Sequence, residues 1–350
     1  MKLTRRRFLE VAAIAGTGII IGAYMYPFTG PREDDETVDN GDSDMNGPSD
    51  VESDVYIVKA SNRQEGLESI LGEFDLTKYS GKSVALKANY NDDHPFPAST
   101  HVDTLREIVS ALKGVGVAEL TLAERSGMGV ARAVMEDRGV YGLAEELGFE
   151  IISLDEVGAE GWVKVDAEGL HWDDGFYISK AFLEADYVVQ TCCLKTHRFG
   201  GHFTMSLKNS VGLVAKTVPG VNHNYMNELH GSSHQRRMIA EINALYDIDL
   251  VVMDAMKAFV TGGPEAGDTV EPSLFLASRD RVALDAVGVA ILRRYGSTDE
   301  VMGGSIFELD QIKRAAELGV GVSNADAISL IPVNDEAQGI VGELEEILKN

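Results

Sequence analysis

The sequence has few cysteines, no excess of basic charge and no complete nucleotide-binding or zinc-protease motif. Only two cysteines occur among the 350 residues. This excludes a fold held together by disulfides, and it excludes a self-contained iron–sulfur cluster, which needs about four thiolates. The formal net charge is −25, whereas a nucleic-acid partner requires a basic surface that neutralises phosphates. Apolar residues still make up 44 % of the chain, which is typical of a globular protein and too high for a disordered one.

The first 28 residues have the pattern of an export signal. The string Thr4-Arg5-Arg6-Arg7-Phe8-Leu9 precedes a run without charge from Val11 to Pro31, as in signals read by the twin-arginine export machinery. The run is long enough to span a bilayer and has no A-x-A cleavage site at its end. We therefore expect residues 1–28 to be a twin-arginine signal that is either cleaved or retained as an anchor through residues 11–28. In both cases the body of the protein lies outside the cytoplasm.

Residues 29–54 are strongly acidic and almost free of apolar side chains. They contain ten acidic residues and one arginine, so they cannot bury a core and are expected to form a disordered linker. This linker contributes −9 and the signal contributes +3, which leaves −19 on residues 55–350. The length of that body fits one large domain or two closely joined lobes.

The body alternates short apolar runs with amphipathic segments, which predicts an α/β fold with a mostly parallel sheet flanked by helices. The predicted strands are Val55–Lys59, Val84–Lys87, Glu119–Ala123, Ile151–Leu154, Tyr187–Cys193, Leu250–Asp254, Leu274–Ala277 and Ile328–Ile331. The predicted helices are Val102–Lys113, Val130–Leu147 with a break near Gly139, Gln235–Tyr246, Arg281–Tyr295, Ile306–Leu318 and Ile340–Leu348. Ligands in such folds bind beyond the carboxyl ends of the strands.

The first loop of this kind follows the strand that ends at Lys87. Lys87 and Asn89 lie on one face of an extended chain, and Thr100-His101 stand at the start of the next helix. Ser99 or Thr100 is expected to be the N-cap of that helix, whose first turn would favour an anion. The alternative is a solvated loop with an ordinary cap.

The second loop begins at Glu124, directly after the next predicted strand. Glu124 and Arg125 precede Gly127 and Gly129, but the spacing matches no complete phosphate-binding motif. We interpret the glycines as a turn and Glu124 as a candidate acid–base residue.

The densest polar cluster runs from Lys195 to Asn209. Lys195 and His197 share a face of an extended chain, and Thr204 and Lys208 align whether the chain is extended or helical. Lysines among apolar residues are costly unless they are paired or used. The cluster is therefore either a ligand site or a set of structural ion pairs.

The segment after Asn209 contains several histidines, which are common metal ligands. His223, His230 and His234 follow one another closely, and Asp254 ends a predicted strand. The H-E-x-x-H motif of zinc proteases is absent. A divalent metal held by His223, His230 and Asp254 is one interpretation, and loop histidines without a metal are the other.

The remaining polar residues belong to a turn and a helix start. Gly262-Gly263 precede a proline, and such a turn exposes backbone N–H groups to a ligand. Asp280 is the expected N-cap of the helix that follows it. Asp285 lies one turn further on among apolar residues, where a carboxylate is less easily explained.

The adjacent Cys192 and Cys193 are expected to alternate across a strand as small, reduced core residues. A catalytic thiol with His197 as its base is the alternative.

Several of these motifs together resemble a known family. They are Lys87-x-Asn89, Thr100-His101, Lys195-Thr196-His197, Thr204 through Lys208-Asn209-x-x-Gly212, His230, Asp254, Gly262-Gly263-Pro264 and Arg279 through Ala286. In this order, over roughly residues 84–320, they are similar to DUF362, a domain family of unknown function. Members of that family are sometimes attached to ferredoxin-type iron–sulfur modules, whose cysteine run this chain lacks. The resemblance implies a DUF362-like α/β domain over residues 55–350 and a set of candidate site residues, without a reaction.

Two hypotheses about function follow. The first is an enzyme that acts on a small anionic metabolite, with or without a divalent metal. Its catalytic candidates are His197, Glu124 and Lys195, and its ligand-binding candidates are Lys87, Asn89, Thr100, His101, Thr204, Lys208, Asn209, Gly262 and Gly263. The second is a membrane-tethered, non-catalytic protein that binds a cofactor or serves a redox partner through the same pocket.

Overall fold

The computed structural model describes residues 52–350. The predicted export signal and nearly all of the predicted linker lie outside these residues. The first strand begins at Ser53, which is two residues inside the stretch expected to be linker. No helix in residues 52–350 has the length and apolar character required to cross a membrane.

A continuous sheet runs through the whole described body, with eight strands in the order β12-β1-β11-β9-β7-β2-β3-β4. The strands are β1 (Ser53–Lys59), β2 (Ser83–Lys87), β3 (Glu119–Glu124), β4 (Glu150–Ser153), β5 (Trp162–Val165), β6 (Phe176–Ser179), β7 (Tyr187–His197), β8 (His202–Phe203), β9 (Leu250–Phe259), β10 (Thr269–Val270), β11 (Leu274–Ser278) and β12 (Ile328–Pro332). Among those eight strands, only β11 runs antiparallel to its neighbours, β1 and β9. All other neighbouring strands pair in parallel. The short strand β8 pairs antiparallel with β7, and β10 pairs antiparallel with β9. Strands β5 and β6 pair with each other in a separate hairpin.

Helices cover both faces of the sheet, so the predicted α/β fold with a mostly parallel sheet is confirmed. They are α1 (Arg63–Leu71), α2 (Val102–Gly114), α3 (Ala131–Asp137), α4 (Val140–Leu147), α5 (Lys180–Glu184), α6 (Ser206–Asn209), α7 (Tyr225–Gly231), α8 (Gln235–Asn243), α9 (Arg281–Arg294), α10 (Asp299–Met302), α11 (Asp310–Glu317) and α12 (Asp335–Lys349). Because strand side chains alternate between faces, Val251 and Met253 pack in one core and Val252 packs in the other.

The central helix of one face is α9. Its residues Arg281–Leu292 are all buried, as expected for a helix that is apolar nearly all round. The predicted N-cap is confirmed, since Asp280 Oδ1 accepts hydrogen bonds from the backbone N–H groups of Val282 and Ala283. On the other face, the apolar sides of α1 to α4 form a second core against the sheet.

Strand β7 is longer than predicted and carries part of the polar cluster. It continues past Cys193 to His197, with a register shift against β9 between Cys193 and Lys195. Strand β8 then folds back and pairs with its end, so that Thr196 faces Phe203 and His197 faces His202. Lys195 and His197 therefore project from the carboxyl edge of the sheet, where ligand sites of α/β folds lie.

Candidate active site

A cavity of about 350 Å³ opens at the carboxyl ends of β2, β3 and β7. Nine residues singled out from the sequence line it together: Lys87, Asn89, Glu124, Lys195, His197, Thr204, Lys208, Asn209 and His230. They come from five separate stretches of the chain, which the parallel strands and the segment after β7 bring to one edge. The volume is within the range of pockets that hold small molecules.

The floor of the cavity holds a buried ion pair between Lys87 and Glu124. The two atoms Lys87 Nζ and Glu124 Oε1 are 2.5 Å apart, and both side chains are at most 2 % exposed. Lys87 also donates to the Ala88 carbonyl and to Asn209 Oδ1, at 2.7 and 3.1 Å. Its ammonium thus has three acceptors, which is its full capacity. Burial lowers the pKa of Lys87 and raises the pKa of Glu124, although each partner opposes the shift of the other.

Because Gly212 has no side chain, it leaves room for this ion pair. A Cβ at this position would lie 2.6 Å from Lys87 Cε and 3.1 Å from Glu124 Oε1. Contacts this short require the neighbouring atoms to move, so any side chain at position 212 displaces the pair. The glycine that followed Lys208-Asn209 in the sequence pattern is therefore part of the floor.

Arg125 is a site residue that the sequence reasoning did not select. Its guanidinium is 3 % exposed and lines the cavity. It donates to the carbonyl oxygens of Val211 and Val214, both at 2.7 Å, and so fixes the segment after α6. Its position directly after Glu124 at a strand end was the available signal.

Lys195 lies across the cavity from the floor. Its Nζ donates to Asn89 Oδ1 at 2.5 Å and to the Ala98 carbonyl oxygen. Two acceptors leave one ammonium proton available. The hydrogen bond also fixes the Asn89 amide with its oxygen toward Lys195, which leaves the amide nitrogen free to donate to a ligand.

Lys208 differs from Lys87 and Lys195 because no hydrogen bond or ion pair engages its ammonium within the described part of the chain. The side chain is only 9 % exposed. Burial, followed by the charges of Lys195 and Arg125, lowers the pKa of Lys208 to about 7. The amine is therefore partly neutral near physiological pH.

Short helix α6 holds Lys208 in place, and Asp285 anchors the start of that helix. The two Asp285 carboxylate oxygens accept hydrogen bonds from the backbone N–H groups of Ser206 and Leu207, at 2.8 and 2.9 Å. Asn243 adds a hydrogen bond to the Leu207 carbonyl at 2.9 Å. The buried Asp285 carboxylate, which the sequence left unexplained, therefore satisfies the N-terminus of α6.

Two histidines line the cavity in complementary tautomers. His197 Nδ1 accepts a hydrogen bond from the Gly201 N–H at 3.2 Å, which assigns its proton to Nε2. His230 Nδ1 lies 2.8 Å from the Met226 carbonyl oxygen and must donate to it, which leaves the Nε2 lone pair free. Burial, together with Lys208, keeps the pKa of both histidines below the ordinary value. His197 therefore offers a donor, and His230 offers an acceptor at the open side of the cavity.

Four ligand-binding candidates lie outside the lining and support it instead. Thr100 Oγ1 accepts from the Asn89 N–H at 2.9 Å. The N-cap of α2 is His101, not Ser99 or Thr100, because His101 Nδ1 accepts from the Asp103 N–H. Gly262 and Gly263 both have positive φ, and a Cβ on Gly263 would lie 2.1 Å from the Thr196 carbonyl oxygen. Gly263 thus allows the turn to pack against the end of β7, whereas Gly262 allows the turn to close, since a Cβ there would lie 2.6 Å from the Ala266 carbonyl oxygen.

The three predicted metal ligands are not brought together. The Asp254 carboxylate is buried and bound by Arg63 and Thr104, at 3.0 and 2.5 Å. His223 instead faces Glu228 at 2.7 Å, while His230 lines the cavity. Within the described residues, one other group has metal-type ligand atoms within 4.8 Å of one another, namely Asp92, Asp93 and His94. It lies in the loop after β2, and two of its members are exposed.

The cysteines are buried and free, as expected for core residues. Burial raises the pKa of Cys193 to about 12, and it raises that of Cys192 as well. A thiol with so high a pKa is not a nucleophile at neutral pH, which argues against the alternative of a catalytic thiol.

Of the comparisons with known proteins, the match to a family model confirms the family resemblance. A search of the curated proteins finds no match. Among solved structures, the chain is similar to the structure of the lactate racemase apoprotein from Thermoanaerobacterium thermosaccharolyticum, with 13 % identity and a TM-score of 0.37. That likeness covers 58 % of this chain, which spans about half the length of the racemase chain. The family model of DUF362, a domain of unknown function, matches residues 84–290. This range contains every lining residue discussed above. The chain belongs to the DUF362 family.

Proposed function

We propose that this protein is an enzyme that binds a small anionic metabolite in the cavity and moves a proton on it by acid–base catalysis. The observation that carries the proposal is the combination of excess positive charge with two neutral histidines in complementary tautomers. Either feature alone has a structural explanation. Together, in one cavity, they provide both a means of binding an anion and a means of proton transfer.

The charge of the lining argues for an anion. The Lys87–Glu124 pair is internally compensated, but no carboxylate oxygen of the described residues lies within 4.0 Å of a side-chain nitrogen of Arg125, Lys195 or Lys208. Buried cations without a partner are costly, and an anionic ligand would offset that cost. Lys195 and Asn89 each keep a free N–H group for such a ligand, and Lys208 adds its amine.

The histidines supply the proton transfer. The free Nε2 lone pair of His230 can remove a proton from the bound anion, and the Nε2–H group of His197 can donate a hydrogen bond to the negative charge that then develops. Their lowered pKa values keep both rings neutral at physiological pH, which suits a base and a donor that act in the same step. This assignment moves the base from His197, the sequence candidate, to His230, which the sequence suggested as a metal ligand.

The proposal includes a location outside the cytoplasm. The predicted twin-arginine signal belongs to a route that exports folded proteins, and the acidic stretch after it would separate the enzyme from a membrane anchor. Cell fractionation of the native host, with and without a functional twin-arginine system, tests this part independently of the activity.

A binding assay followed by an exchange assay tests the activity. Small carboxylates and phosphate esters are first screened for stabilisation of the full chain against thermal unfolding. Each ligand that binds is then incubated with the protein in D₂O, and loss of its C–H signals is followed by proton NMR. We expect at least one bound anion to exchange a proton or be converted.

Three variants assign the roles. His230→Asn is expected to bind the anion but to lose roughly 10²-fold or more of the exchange rate, and Lys195→Met is expected to lose binding. His94→Asn, which alters an exposed histidine outside the cavity, serves as the matched control and keeps both properties. Tight binding without any exchange or turnover would overturn the enzyme proposal in favour of the non-catalytic binding protein.

A further inference from the structure

Three of the lysines that line the cavity are buried, and they differ in how fully their nitrogen atoms are engaged. Lys87 Nζ has three acceptors and Lys195 Nζ has two, whereas Lys208 Nζ has none among residues 52–350. A lysine can act as a nucleophile only when a nitrogen lone pair is free. Loss of a proton would cost Lys87 an existing hydrogen bond. Lys195 could keep both of its bonds, but the charges of Asp92 and Glu265 favour its protonated form, whereas Lys208 has neither a bond to lose nor a carboxylate to hold its proton.

The surroundings of Lys208 favour the neutral amine. The side chain is nine-tenths buried, and the cations Lys195 and Arg125 are its main electrostatic neighbours, without an opposing carboxylate. Desolvation beside like charges is the arrangement that activates amine nucleophiles. Glu124, the carboxylate of the cavity floor, is already bound to Lys87.

Proton-transfer groups lie at the same end of the cavity. A Cβ on Gly201 would lie 2.8 Å from His197 Nδ1 and 3.0 Å from Lys208 Cε, so these two side chains meet over this glycine. His230 is close enough for the charge of Lys208 to lower its pKa. The Lys208 side chain therefore lies next to His197 and within electrostatic range of His230.

We propose that Lys208 forms an imine with the carbonyl carbon of a small anionic aldehyde or ketone of the 2-oxo acid class. This inference rests on the proposed function and names its substrate class. The carboxylate of such a compound would bind to Lys195 and Asn89, and its carbonyl group would face Lys208. A simple carboxylate or phosphate without a carbonyl group would bind but would not react.

The chemistry balances without any further reactant. The lone pair of Lys208 Nζ forms a C–N bond, and the π electrons of the carbonyl group move to its oxygen. That oxygen takes two protons, both ultimately from the amine, and leaves as one water molecule. When the imine nitrogen takes up a proton from the solvent, the resulting iminium withdraws electrons from the neighbouring carbon. His230 Nε2 can then remove a proton from that carbon where it carries one, as in pyruvate.

Reductive trapping on the full chain tests the inference. The protein is incubated with glyoxylate or pyruvate and sodium cyanoborohydride at pH 7, and the modified lysines are identified by peptide mass spectrometry. We expect one adduct per chain, on Lys208, formed more than about tenfold faster than on any surface lysine, because the latter are almost fully protonated at that pH. Excess propionate, which has the carboxylate but no carbonyl group, is expected to protect Lys208.

Variants separate this inference from the proposed function. Lys208→Arg keeps a cation but has no nucleophilic lone pair, so the adduct is expected to disappear, whereas Lys82→Met at an exposed position leaves it unchanged. The wild-type adduct map decides the question even if Lys208→Arg fails to fold. Labelling of Lys208 at the rate of surface lysines, in a protein that still binds and exchanges an anion, would overturn the imine and leave the proposed function intact. If none of the anions binds or reacts, both are overturned.

Discussion

At the scale of single residues, burial sets the properties of the cavity. Lys87 and Glu124 are both fully enclosed, and water solvates neither charge. Such a pair is held by its mutual attraction and by extra hydrogen bonds, which here come from the backbone N–H groups of Tyr90 and Arg125. Removing one partner leaves the other charge buried without compensation.

We therefore expect Glu124→Gln to lower the free energy of unfolding by about 3–5 kcal/mol. The matched control is Glu146→Gln, which breaks the exposed ion pair with Arg106 and should leave the free energy of unfolding close to that of the wild type. Urea unfolding at pH 7, followed by circular dichroism, measures both. Equal costs for the two variants would show that the buried pair contributes no more than a surface one.

Residue types predicted this cavity better than they predicted roles. Lysines in or next to apolar strands were the strongest signal, because a lysine is almost never fully buried unless it is paired. The sequence could not distinguish the saturated Lys87 from the free Lys208, since that difference depends on Asn209 and Glu124 arriving from other segments. Nor could it place Asp254, whose partner Arg63 lies 191 positions away.

At the scale of elements, the short helix α6 is the piece that presents Lys208 and Asn209 to the cavity. It spans only four residues, and helices this short are not stable by themselves. Asp285, on the central helix α9, compensates by accepting hydrogen bonds from its first N–H groups. The fold thus couples the cavity to the core through one carboxylate.

We expect Asp285→Asn to destabilise the protein and to displace Lys208. Asparagine keeps one acceptor but turns an N–H₂ group toward the second backbone N–H, at a cost of about 1–3 kcal/mol. Because burial raises the pKa of Asp285 to about 7, the comparison is made at pH 8, where the wild-type carboxylate is mostly ionised. Urea unfolding gives the stability, and reductive trapping with glyoxylate reports the position of Lys208.

The control for this substitution is Asp335→Asn, at an exposed site in the first turn of α12. It changes the same side chain without a buried partner, so both readouts should stay within error of the wild type. If trapping at Lys208 were unchanged in Asp285→Asn as it is in the control, the Asp285 carboxylate would not position Lys208.

Elements with a long apolar pattern could be predicted, and those that depend on partners could not. The helix α12 begins five residues earlier than predicted because Asn334 caps it and its first turn is polar. The hairpin of β5 and β6 was missed, since each of its strands has only four residues. Strand β7 was ended too early because three of its last four residues are polar, and two of these, Lys195 and His197, line the cavity.

At the scale of the whole molecule, charge is divided between an acidic surface and a cationic cavity. The chain carries −25, and −19 of this belongs to residues 55–350, yet the cavity holds Arg125, Lys195 and Lys208 without a carboxylate partner. Repulsion among the surface carboxylates opposes the compact state. At 0.1 M salt, exposed charges more than about 10 Å apart are largely screened from one another. Buried charges are screened far less, so the cavity should keep its potential in salt.

We therefore expect the full chain to become more stable as salt rises, with most of the gain below about 0.2 M NaCl, where screening of exposed charges is established. Calorimetric unfolding at pH 7.5 in increasing NaCl measures the effect as a rise in Tm. The same titration near pH 4.6, where the net charge is close to zero, is the control, because there is then little net repulsion to screen. A Tm that falls with salt at pH 7.5, or rises equally at both pH values, would mean that local ion pairs such as Arg132–Glu156 outweigh the global repulsion.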